Sequence, residues 1–197
     1  MEFDEVIRSR RTVRVFRDEP IDEETLRLVF EAGNQAPSAC NVQGWRFRRL
    51  DADDKELLVR MGGADFIARA PFACLVLYPF SSDTYDDEVQ SAAACIENMF
   101  LKATDLGLGG TWVCHLPASW RLRRALAIPW HYKIIACIVL GYPRQERRPM
   151  ARKYDVDQLF ELERPRLSLR AVAKYLYLRQ PFRPPFIERR FTKRFEN

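Results

Sequence analysis

Apolar residues recur along the chain in three rhythms, and each predicts a different element. Between residues 86 and 106 they fall at Ala92, Ile96, Met99, Ala103 and Leu106. Steps of four and three make one stripe on a helix about five turns long. So regular a stripe suits a bundle core or a subunit interface. Residues 72–78 and 134–142 are instead continuous apolar runs, the pattern of strands buried on both faces. Residues 45–50 alternate loosely and predict a further strand. Shorter helices are expected over 4–10, from Asp22 to near Gly33 with Leu26, Val29 and Phe30 inward, over 53–61, over 63–69, and from Trp120 to Ala127 with Ser119 as the cap. Strands are mixed with an excess of helices, without internal repeats or low-complexity tracts.

Composition narrows the class. The 197 residues, 47% hydrophobic and 30% charged, are enough for one domain with a substantial core. No window approaches 18 consecutive apolar residues, and the acidic start Met1-Glu2-Phe3-Asp4-Glu5 is unlike a signal peptide. A cytoplasmic protein is therefore expected. The five cysteines are scattered without a CxxC pair, and three sit in apolar runs or helical faces. Free buried thiols are the reading. His115 and His131 lack zinc-ligand spacing.

Charge changes the picture further. Residues 164–197 hold ten Lys/Arg against two Glu, a surplus of +8, so residues 1–163 carry about −3 of the net +5. The basic balance belongs to an extension, and no nucleic-acid partner is expected of the body. We therefore divide the chain into a folded domain, 1–163, and an appendage, 164–197. In the appendage Ser168 is placed to cap a helix over 169–178. Beyond it, Phe182, Phe186, Phe191 and Phe195 are interleaved with arginines and prolines. Two readings of it stay open: an arm wrapping a partner subunit, and a peripheral membrane contact.

Three clusters carry candidate chemistry. Arg8-Ser9-Arg10-Arg11-Thr12-Val13-Arg14 combines planar cationic donors with a hydroxyl, a set that fits phosphate oxygens, though it also suits a solvated basic loop. Residues 36–45, Ala-Pro-Ser-Ala-Cys-Asn-Val-Gln-Gly-Trp, gather neutral hydrogen-bonding side chains able to read the edge of a planar heterocycle, or make an ordinary turn. Leu106-Gly107-Leu108-Gly109-Gly110-Thr111-Trp112 either lets backbone approach a ligand or caps the preceding helix. It is not a dinucleotide fingerprint, because the spacing is wrong and it follows a helix.

Taken in order, the RR-T-V-R segment, APS-x-x-N-x-Q-x-W, GLGG-T-W and a strand ending G-Y-P resemble the nitroreductase family of flavoproteins, from about Phe3 to Phe160. The resemblance implies an α+β fold with a central, mostly antiparallel sheet surrounded by helices. It implies a homodimer with FMN at the subunit interface. It further implies a ping-pong transfer of hydride from NAD(P)H through flavin to a small acceptor such as a nitroaromatic or quinone. Alternatives are an FMN-dependent dehydrogenase or oxidase of a biosynthetic intermediate, and a non-catalytic flavin binder with a membrane-surface tail. By the same resemblance Arg10, Arg11 and Thr12 hold the FMN phosphate, and Arg14 lies near the N1/O2 edge of the ring. Pro37, Ser38, Asn41 and Gln43 line the ring and ribityl chain, while Gly109 and Gly110 cover the other face. Arg152 joins the phosphate, with Lys153 and Arg148 as rivals. No side chain is nominated as a catalytic acid or base. The chain departs from the family at Gly44, commonly Pro, and at Cys114-His115, which follow Trp112 and Val113 where many relatives carry Ile-Gly after the Trp.

Overall fold

Two strands with apolar side chains on both faces dictate the architecture, because each must be covered twice. In the computed structural model, which describes residues 1–80, 86–145 and 151–160, β2 (Phe72–Pro79) and β4 (Tyr132–Gly141) pair antiparallel at the centre of a four-stranded sheet. β1 (Arg46–Arg49) flanks β2 and β3 (Gly109–Val113) flanks β4, giving the order β1-β2-β4-β3 with every pairing antiparallel. Met1–Pro149 form one compact unit.

Alternate residues of the central strands enter two separate cores. Phe72, Cys74, Val76 and Tyr78, with Ala136, Ile138 and Leu140, face α2 (Glu23–Asn34) and α5 (Asp87–Asp105). Ala73, Leu75 and Leu77, with Cys137 and Val139, face α3 (Ala52–Arg60), α4 (Phe66–Arg69) and α6 (Ser119–Leu126), which contribute Leu58, Ile67, Leu122 and Leu126. Each Leu, Ile, Val or Phe among them contributes about 1.5–3 kcal/mol when fully buried. The predicted stripe on α5 is the inner one, since Ala92, Ile96, Met99 and Ala103 are buried. α2 begins where Asp22 accepts from the Thr25 N–H at 2.8 Å, and these bonds hold its carboxyl below the ordinary value. At the start of α5, Glu88 and Asp86 each lie 2.8 Å from Lys133 of β4. Partial burial acts against that ammonium, yet its two carboxylate bonds keep its pKa above the ordinary lysine value.

Two expectations are corrected. The glycine segment after α5 is not only a cap. Gly107, at φ 79°, does close the helix, with its N–H donating to Thr104 O and the Leu108 N–H to Ala103 O. From Gly109 onward the chain is strand β3. A run with two glycines lacks the β-branched density that marks a strand, so its pairing with β4 is a tertiary decision. Ser119 is the first residue of α6 rather than its cap; Ala118 takes that position, without a capping side chain. Cys74, Cys95 and Cys137 are free and buried, and Cys40 and Cys114 are free and exposed. Burial pushes the Cys95 and Cys137 thiols up to about 12. Residues 151–160, part of the second unit, are exposed and end in a single 3-10 turn at Asp157–Phe160. The helix expected over 169–178, and the aromatic-arginine stretch after it, lie outside the described residues.

Candidate functional site

The arginine-rich segment is built onto the free edge of β3. α1 (Phe3–Ser9) ends at Arg10, and the chain then extends beside the strand. Thr12 bridges Gly110 in parallel, the Val13 N–H donates to Gly110 O at 2.9 Å, and Thr111 Oγ1 donates to Val13 O at 2.6 Å. Further on, the Arg17 N–H reaches Tyr142 O at 2.8 Å. The glycines of β3 make this approach geometrically feasible. A Cβ at Gly109 would stand 2.5 Å from Val13 Cγ2, and one at Gly110 would stand 2.3 Å from Val139 O and 2.7 Å from the Phe100 ring. Both predicted site glycines therefore have packing roles of their own.

Extended backbone alternates its side chains, so Thr12 and Arg14 share one side of the segment and are exposed, while Arg11 and Val13 are half-buried on the other. The Arg14 guanidinium sits 5.9 Å from the centre of the Phe66 ring. Arg10 Nε lies 3.1 Å from Glu97 Oε1 of α5. That partly exposed pair is weak, worth at most about 1 kcal/mol, so a stronger anion can compete for Arg10.

The neutral cluster lies on the opposite edge, in the connection from α2 to β1. Cys40, Asn41 and Gln43 have φ of 49°, 56° and 47°, a left-handed conformation rare for residues with a side chain. Hydrogen bonds hold the loop there. Ser38 Oγ accepts from the Gln43 N–H at 2.9 Å, Gln43 Nε2 donates to Asn41 Oδ1 at 2.7 Å, and the Ala39 N–H reaches buried Ser91 Oγ on α5 at 3.1 Å. Trp45 Nε1 donates to Asn34 Oδ1 at 3.0 Å. Pro37, Asn41 and Gln43 are exposed and Ser38 is half-buried. Gly44, the departure from family pattern, is explained by its neighbour: a Cβ there would stand 2.8 Å from the Tyr78 ring.

The structure therefore brings Arg10, Arg11, Thr12 and Arg14 together with Gly109 and Gly110, and separately groups Pro37, Ser38, Asn41 and Gln43. Between the two groups lie β3, β4, β2 and β1 in order. Both groups also touch α5, Arg10 at Glu97 and Ala39 at Ser91, six residues apart along the helix. Arg152 is exposed and belongs to the second unit; Lys153 lies over the Tyr154 ring, and Arg148 is outside the described residues. Cys114 and His115 follow β3 directly and are exposed, and burial of part of the Cys114 side chain raises its thiol pKa. Asn34, Ser91 and Glu97 shape these clusters yet belong to no motif. The signal for the last two is a polar residue set beside the apolar stripe of α5.

Comparison with known proteins identifies a family. A family model described as Nitroreductase family matches residues 7–64 and 51–142. A protein of Archaeoglobus fulgidus with the provisional name NADH dehydrogenase/NAD(P)H nitroreductase is 33% identical over 168 residues, 81% of this chain and 93% of that protein. A 5,6-dimethylbenzimidazole synthase of Rhodospirillum rubrum is 29% identical over 175 residues, 73% of this chain and 82% of the other. Among solved structures, a provisionally assigned nitroreductase from Desulfovibrio desulfuricans, crystallised in complex with FMN, superposes with a TM-score of 0.69 at 28% identity, covering 84% of this chain and 99% of that one.

Proposed function

The chain belongs to the nitroreductase family, and from that premise we propose an FMN-dependent oxidoreductase whose flavin site is shared between two copies of the chain. The topology carries this reading. The cationic cluster borders β3 and the neutral loop leads into β1, the two edge strands of one sheet. A second copy packed across a face in the opposite direction and related by a twofold axis brings the loop of each chain to the arginines of the other, an isologous arrangement that makes two sites.

The donor sets fit the group. Arg10, Arg11 and the Thr12 hydroxyl offer charge-assisted bonds to a phosphate, each worth about 1.5–3 kcal/mol. Arg14 places a fixed positive charge where a reduced ring gathers negative charge. Ser38, Asn41 and Gln43 offer neutral donors and acceptors to the ring edge and ribityl hydroxyls, and their loop is already held in shape by the Ser38 and Ser91 bonds. FMN would supply the hydride-accepting chemistry, with NAD(P)H as donor and a nitroaromatic, quinone or similar small molecule as acceptor in a ping-pong cycle.

Anaerobic mixing of the purified flavoprotein with NADH or NADPH tests the reading. Rapid bleaching of the flavin absorbance is expected. A protein that purifies colourless and takes up no added FMN overturns it. Bound FMN that NAD(P)H reduces slowly or not at all supports the second reading, oxidation of a biosynthetic intermediate, which the likeness to a synthase favours.

A further inference from the structure

The end of the sheet where β2 finishes and β4 begins carries, on its α6 side, a surface that the flavin proposal does not use. Three large apolar residues stand in solvent there: Phe80 is 54% exposed, Trp120 68% and Trp130 81%. They belong to one rigid piece. Arg123 of α6 lays its guanidinium 5.3 Å from the Phe80 ring centre and donates to the carbonyls of Trp130, at 2.7 Å, and Tyr132. The Phe80 N–H donates to His131 O at 3.0 Å. At ~100° per residue, Trp120, Arg123 and Arg124 fall within one arc of about 100° on α6, and exposed Arg121 borders it. No Asp or Glu occurs between Asp105 and Glu146. Asp86 and Glu88, at the start of α5, are engaged with Lys133 of β4.

Two exposed tryptophans and an exposed phenylalanine on one connected piece are too costly in water to be incidental, and the company they keep selects the partner. Indole rings beside arginines on α6 and the turn into β4, segments without an acidic residue, match the interface of an anionic bilayer, where the ring enters the headgroup boundary and the cation meets phosphate. A single-stranded polynucleotide fits less well. Trp120 lies in the first turn of the eight-residue α6 and Trp130 follows its other end, about one helix length of 12 Å along the chain path, whereas successive bases need neighbouring platforms. A second copy is disfavoured because a self-complementary contact would set like charges together. We propose that Phe80, Trp120 and Trp130, with Arg121 and Arg124, seat the protein on an anionic lipid surface. This is independent of the flavin reading.

The test is sedimentation of the full-length protein with phosphatidylcholine vesicles, with and without phosphatidylglycerol. Binding is expected only with the anionic lipid, weakened by salt and accompanied by a blue shift of tryptophan fluorescence. The double variant Trp120→Ser/Trp130→Ser should bind at least about tenfold more weakly, with flavin content and far-UV circular dichroism unchanged. Arg121→Gln/Arg124→Gln, which leaves the apolar contacts in place, should lose the preference for anionic lipid. Equal pelleting of wild type and either double variant overturns the proposal. So does absence of vesicle binding, including the case where the tryptophan variants instead lose affinity for a single-stranded oligonucleotide or change oligomeric state.

Discussion

The two edges of the sheet hold the two proposed halves of the flavin site, and they are stabilised in opposite ways. Beside β3, residues 12–17 lie in ordinary extended backbone, tied by main-chain hydrogen bonds to Gly110 and Tyr142. What this edge requires is the absence of side chains at Gly109 and Gly110. Before β1, three of four successive residues adopt left-handed backbone, at a cost on the order of 1–2 kcal/mol for Cys40 and for Gln43 and less for Asn41. What this edge requires is the presence of side chains, Ser38, Asn41, Gln43 and Ser91, whose bonds outweigh that cost. A phosphate needs only charge within reach, so an unstrained strand with long arginines is enough. Reading a ring edge needs a fixed pattern of donors, and strained geometry is one way to fix it.

The comparison breaks most visibly if both edges serve the same flavin within one chain. Arg10→Ala/Arg14→Ala in one subunit and Asn41→Ala/Gln43→Ala in the other should each empty both sites of a homodimer. A heterodimer of the two, purified through different tags, has one site bearing all four lesions and one bearing none. It should recover FMN and NAD(P)H oxidation at one site of two. Absence of recovery in a verified heterodimer would mean that each chain builds its site alone.

Next in size is Gly110→Ala. A methyl aimed at Val139 O and the Phe100 ring should cost about 3 kcal/mol, the upper range for overpacking where backbone must move. Chemical denaturation measures it, and a loss under about 0.5 kcal/mol would show that β3 yields easily. The fold around this glycine was only partly legible in the sequence. Periodicity exposed α5 and the two central strands, because burial on one or both faces writes itself into apolar spacing. β3 stayed hidden because its pairing rests on glycines, which read equally well as a helix cap. The site was legible as types of residue, arginine with threonine and serine with asparagine and glutamine. Their placement on opposite edges was not, since strand order is set by long-range pairing. The left-handed backbone at Cys40 and Gln43 leaves no mark either, because nothing in those residue types demands it.

One substitution should change sign between the edges. At Cys40 glycine relieves the left-handed backbone and should raise stability by up to about 1 kcal/mol. At Thr12, in extended backbone beside Gly110, glycine should lower it by about 0.5–1 kcal/mol. Thermal unfolding of the two variants decides this. Equal and unfavourable effects would remove strain as the difference between the regions.

The smallest effect concerns charge. Asp105, at the end of α5, accepts from Lys102 Nζ at 2.8 Å and from the Met1 amine at 2.9 Å, tying down the helix that leads into the arginine segment. The Lys102 bond, and after it the amine, holds its pKa down at about 2. A carboxyl whose folded pKa is depressed contributes stability above its ordinary value of 3.8 and loses it as pH falls from there toward 2. The loop edge has no such dependence, since Ser38, Asn41, Gln43 and Ser91 bond as neutral groups. Asp105→Asn should therefore flatten the acid limb of the stability curve by less than about 1 kcal/mol, because the pair faces solvent. It should speed amide exchange in α1 at neutral pH while leaving exchange at Ala39 and Gln43 as it was. An unchanged acid limb, or faster exchange in the loop as well, would show that the two edges are not held independently.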